Sequence, residues 1–208
     1  NRAMGGESIK PIRKRIHVYF LMTAYKKMDD KKIYKILQHW FPELKQRDIP
    51  KKKYRKSFEE FLNWMAAEKF GGRFRAYLMK IDRMEFHENQ IERSAVFHEY
   101  AVDGLGIQST IRQRAQPLFD HYELHKDVIG RYYNVQDQVY DIVFEEILTE
   151  AKQHQHELLL IYAEDYYWLI VPNHEHKIEK FCKHFNKQFH DEDVSIEHYA
   201  LFDCSRST

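Results

Sequence analysis

Seven glycines and five prolines in 208 residues leave this chain few places to turn. Sandwiches and barrels need a turn about every eight to twelve residues, built mostly on Gly, Pro, Asn or Asp. Scarcity of Gly and Pro points to helices. Material for a core is ample: 14 Tyr and 14 Phe stand in a chain that is 43% hydrophobic, too apolar for disorder. No apolar run approaches the roughly 18 residues of a membrane span; the longest, Val18 to Ala24, lies between Arg15 and Lys26. Cys182 and Cys204 stand in no paired or metal-type spacing, which fits two free thiols in a reducing compartment. A cytoplasmic protein without membrane contact is expected.

Apolar spacing divides the chain into elements. Ile16, Tyr19, Phe20 and Ala24 predict a first helix over 12–27, and Ile33, Ile36, Leu37, Trp40 and Phe41 a second, capped by Asp29 or Asp30 and ended by Pro42. Pro50 and Gly71-Gly72 bracket a third, with Tyr54, Phe58, Phe61, Leu62 and Met65 on one face. Beyond the glycines come an expected strand over 74–84, helices over 88–102 and 108–127, and a longer helix over 135–153. Residues 157–171, rich in Leu, Ile, Tyr and Trp around Glu164-Asp165, predict a β-hairpin. A helix with Ile178, Phe181, Phe185 and Phe189 inward and a strand over 194–202 complete the chain. The order predicts an α+β fold: a basic three-helix unit of helix-turn-helix type over 8–72, then a unit over 73–204. The second is expected to be a ferredoxin-like antiparallel sheet with helices on one face.

Net charge hides a strong polarity. Residues 1–75 hold 20 Lys and Arg against 8 Asp and Glu, while 76–208 hold 13 against 24. A basic part of a chain suggests a polyanionic partner. Two clusters, Arg13-Lys14-Arg15 and Lys51-Lys52-Lys53 with Arg55 and Lys56, fall at predicted helix beginnings. Cations there oppose the helix dipole, so stability does not explain them. At such positions they can reach phosphates alongside free backbone N–H groups.

Other constellations point to chemistry less directly. The stretch from Tyr162 to Trp168, with Glu164-Asp165 in the middle, resembles the catalytic hairpin of palm-type nucleotide cyclases and polymerases. That resemblance implies paired metals held by Glu164, Asp165 and Asp82 of the preceding strand. The glycines that admit phosphate in the cyclase hairpin are absent here, and the segment before the hairpin is far longer. His121 and His125, four apart on a predicted helix, could share a metal but have no defined third ligand. No phosphate loop, dinucleotide fingerprint or nucleophile elbow occurs.

The sequence therefore predicts a non-enzymatic nucleic-acid-binding protein, regulatory or accessory, with neither cofactor nor metal. Its expected phosphate contacts are Arg13, Lys14, Arg15, Lys51, Lys52, Lys53, Arg55 and Lys56, with the acidic unit serving a dimer or partner interface. The alternatives are a module docking an acidic protein and a palm-like metal-dependent nucleotidyl enzyme.

Overall fold

Leu158-Leu159-Leu160-Ile161 and Trp168-Leu169-Ile170-Val171 are unbroken apolar runs, and a strand apolar at every position must be covered on both faces. In the computed structural model, which describes residues 30–66, 68–70, 73–81, 89–129 and 135–200, these runs form a fully buried hairpin. Its strands are β4 (His156–Tyr162) and β5 (Tyr166–Pro172). With β3 (Leu78–Ile81) and β6 (Ser195–Tyr199) they make an antiparallel sheet in the order β3-β5-β4-β6. A separate two-stranded ribbon pairs β1 (Glu68–Phe70) with β2 (Arg73–Arg75).

Helices cover both faces of the sheet. On the face carrying Tyr167 lie α1 (Lys32–Trp40), α2 (Phe58–Trp64) and α6 (Glu175–Gln188). On the face carrying Tyr166 and Trp168 lie α3 (Ala95–Glu99) and α5 (Val135–Gln153). There Phe97 meets Trp168 and Tyr140 meets Tyr166. The long α4 (Gly104–Ile129) packs on α5.

The fold is thus α+β with an antiparallel sheet, but it departs from the expected ferredoxin-like order and one-sided helix layer. In a ferredoxin-like sheet the last strand lies beside the first; here β6 pairs with β4, from Leu158↔Tyr199 to Tyr162↔Ser195. Complete burial of β4 demands partners for its backbone on both edges, and β5 and β6 supply them.

Local boundaries also moved. The third predicted helix is only α2, and 52–56 form a turn. Ser57 Oγ accepts the Glu60 N–H at 3.4 Å, so the helix begins at a Ser-x-x-Glu capping sequence. Where the sequence predicts a helix over 88–102, the described residues form a 3-10 turn (Ile91–Arg93) and the short α3. Gln90 in the left-handed region and the Ala76–Ser94 bridge interrupt that stretch. Gly104 and Gly106, in the gap between the helices predicted over 88–102 and 108–127, start α4, with Asp103 Oδ1 accepting the Gly106 N–H. The predicted first helix with Arg13, Lys14 and Arg15, the Gly71-Gly72 boundary, Asp82 and Cys204 lie outside the described residues. No helix among the described residues is long and apolar enough to cross a membrane.

One continuous core joins the segments before and after the glycines. Trp40 meets Phe181 with ring centroids 5.0 Å apart, Phe61 meets Phe185 at 5.4 Å, and Phe58 meets Phe189 at 5.6 Å. Phe61→Ala should cost about 3–5 kcal/mol, the usual range for emptying a buried aromatic position. Denaturant unfolding followed by tryptophan fluorescence and by far-UV circular dichroism should show a single, shifted transition by both probes. Two transitions, with only one displaced, would mean that the helices and the sheet fold separately.

Candidate polyanion interface

Lys51, Lys52, Lys53 and Lys56 are exposed on the turn leading into α2. Arg55 is half-buried and holds that turn in place: its Nε donates to Pro50 O at 2.7 Å and its Nη1 to Asp30 Oδ1 at 2.9 Å. The carbonyl of Arg55 accepts from Gln188 Nε2 at 2.6 Å. Glu192 Oε2 accepts the Phe58 N–H at 2.9 Å. The basic turn is therefore pinned to the C-terminal end of α6, with Asp30 and Glu192 both engaged in holding it.

Two helices extend this surface. On α6, Lys177, Lys180, Lys183 and Lys187 recur at three- and four-residue spacing, away from the buried Ile178, Phe181 and Phe185. On α1, Lys32, Lys35 and His39 do the same opposite Ile33, Leu37 and Trp40, and α1 contains no acid. The two stripes share one side of the molecule. Lys177 Nζ donates to His39 Nε2 at 2.6 Å. His184 of α6 feels the charge of Lys32 on α1 as well as Lys180, Lys183 and Lys187 of its own helix. Burial first, then these four ammonium groups, hold its imidazole below the ordinary value. Its Nδ1 is buried without a hydrogen-bond partner among the described residues. Two acids, Glu175 and Glu179, interrupt α6.

The opposite layer carries the other sign. Asp137, Asp141, Glu145, Glu146 and Glu150 stand on α5 against the single Lys152, and Arg114 of α4 bridges Glu145 at 2.7 Å and Glu146 at 2.6 Å. Sequence reasoning found the 51–56 cluster but missed the α6 lysines, because the acidic sum over 76–208 hid them. Their spacing, on a helix whose apolar face was already identified, was the available signal.

The remaining candidates stay apart. Asp165 Oδ2 pairs with Lys80 Nζ at 2.6 Å beside the exposed Glu164. His125 Nδ1 donates to the His121 carbonyl of its own helix at 2.9 Å. Among the described residues no three His, Cys, Asp or Glu side chains are grouped to hold a metal ion. Burial pushes the Cys182 thiol up to about 12, leaving it protonated and unreactive at neutral pH. The chain matches no protein-family model, no curated protein and no solved structure.

The environment of His184 gives the surface a titration signature. A folded-state pKa below the ordinary value means that the unfolded chain binds the proton more readily. The contribution to stability is then present above the ordinary imidazole value and is lost as pH falls through the folded one. His184 should titrate by NMR below the ordinary imidazole value. Lys183→Ala should raise its pKa, and a saturating polyanion should raise it further by screening the lysines. An imidazole at its ordinary value, indifferent to both, would mean that the lysines do not surround it.

Proposed function

We propose that this protein binds nucleic acid through phosphate contacts made by the α1, 51–56 and α6 surface, in a non-enzymatic regulatory or accessory role. One observation carries the reading. Three lysine-bearing stretches separate in sequence are joined in the fold. Lys177 of α6 reaches His39 of α1, and Lys32 of α1 and three α6 lysines act on His184. Gln188 fastens the turn carrying the exposed Lys51, Lys52, Lys53 and Lys56 to the end of α6. Such a surface displaces counterions from a phosphate chain, a gain that depends on salt and not on sequence. Arg13, Lys14 and Arg15 would add to it. Arg55 is better suited to positioning the turn than to contacting phosphate. The acidic α5 layer would face away, orienting the molecule on its partner and offering a separate surface for dimer or protein contacts.

Fluorescence polarisation with labelled duplex and single-stranded DNA and RNA tests this. Affinity should fall linearly with salt on logarithmic axes. Removing three phosphate contacts with Lys51, Lys52 and Lys53→Ala should lower the duplex DNA slope by roughly 2–3, at about 0.9 per contact. Lys180→Glu with Lys183→Glu should weaken binding at least tenfold without changing the melting temperature appreciably. Binding that is absent at low salt, or unmoved by either set, would remove the proposal. Capture of an acidic protein that survives nuclease and fails in the same variants would replace it with protein docking.

A further inference from the structure

Where α2 ends, a cleft of about 680 Å³ opens between Leu62 and Met65 on one side and the 90–93 segment on the other, with Leu78 and Tyr167 also in its lining. A second cleft of about 530 Å³, reaching Gln108 and Arg112, shares Gln90, Glu92 and Arg93 with it. Each has the size of a small-molecule site. Arg75 and Arg93 line the first cleft and Arg93 and Arg112 the second, and none of the three has a carboxylate partner among the described residues. Arg75 Nη2 donates instead to His98 Nε2 at 2.5 Å, so that ring nitrogen is an acceptor. Lys80, at the rim, pairs with Asp165, and Glu92 is the one acid among the described lining residues.

The ridge between the clefts is rigidly held. Asn89 is wholly buried; its side chain and that of Gln108 exchange hydrogen bonds of 3.2 and 2.6 Å. Its carbonyl accepts from Trp168 Nε1 at 3.0 Å. Farther along, the Ala76 N–H donates to Arg93 O and the Ala95 N–H to Ala76 O, at 3.0 and 2.9 Å. Between these anchors Gln90 takes φ 61°, a left-handed conformation that a residue with a side chain adopts uncommonly and that strained binding sites retain.

We infer that the cleft binds a nucleoside phosphate. Guanidinium groups without carboxylate partners among the described residues match a phosphate in planar, paired hydrogen bonds. The apolar wall and the Tyr167 ring suit a flat base, and the Gln90 amide offers both a donor and an acceptor to its edge. The inference does not rest on the lysine surface, which uses other residues.

Calorimetric titration of the full chain with AMP, adenosine and inorganic phosphate tests it. AMP should bind saturably at one site, with adenosine and inorganic phosphate each at least tenfold weaker. Arg75→Leu and Arg93→Leu should each weaken AMP at least tenfold, with Arg93→Lys between them and the wild type. Melting curves confirm that each variant folds. Lys180→Glu with Lys183→Glu should leave AMP affinity unchanged, which separates this site from the nucleic-acid surface. No saturable heat up to millimolar AMP, affinity unmoved by both Arg→Leu variants, or inorganic phosphate binding as tightly as AMP would each overturn it.

Discussion

Burial of both faces of the β4–β5 hairpin is the constraint on which the other features rest. A hairpin with four consecutive apolar residues on each strand is insoluble until two layers of helix close over it. Segments far apart in sequence supply those layers: α1, α2 and α6 on one side, α3 and α5 on the other. Aromatic contacts lock the first layer. Phe58 stands edge-on to Tyr167, Phe185 and Phe189, and such pairs add about 0.5–1.5 kcal/mol each beyond the area they bury.

Two outer layers give the chain two outer surfaces, and charge sorts between them. On α1 the basic residues are not arranged for stability. The residue preceding α1 is Lys31, which makes no side-chain cap, and the first turn of α1 has no acid to meet the helix dipole. Lys180, Lys183 and Lys187 crowd one imidazole. Like charges are thus gathered on this side of the fold at some energetic cost.

Much of this architecture was legible in the sequence. Period-3.6 patterning marked α5 and the buried face of α6, and the hairpin stood out because β-branched and aromatic residues flank a polar turn. Elements failed where tertiary contacts overrode local preference. Lys51–Lys56 reads as helix by propensity, yet the chain waits for Ser57 to cap it, and Arg55 is drawn aside to Asp30 and Pro50. The unbroken runs in β4 and β5 already implied cover on both faces, but strand order alone suggested a one-sided ferredoxin-like layer. The cleft at the end of α2 had no sequence signature, since Arg75 and Arg93 come to one cleft only through the fold.

The carboxylate of Glu192 that caps α2 has a consequence for the order of assembly. The basic turn precedes the residues that fasten it, Gln188 and Glu192, by 133 and 134 positions at the two contacts, so synthesis reaches the fasteners long after the turn. A nascent chain displays its lysines long before anything fixes their positions. The completed surface therefore belongs to the finished protein, and a shortened product ending before residue 188 would keep the charge of this turn without its geometry.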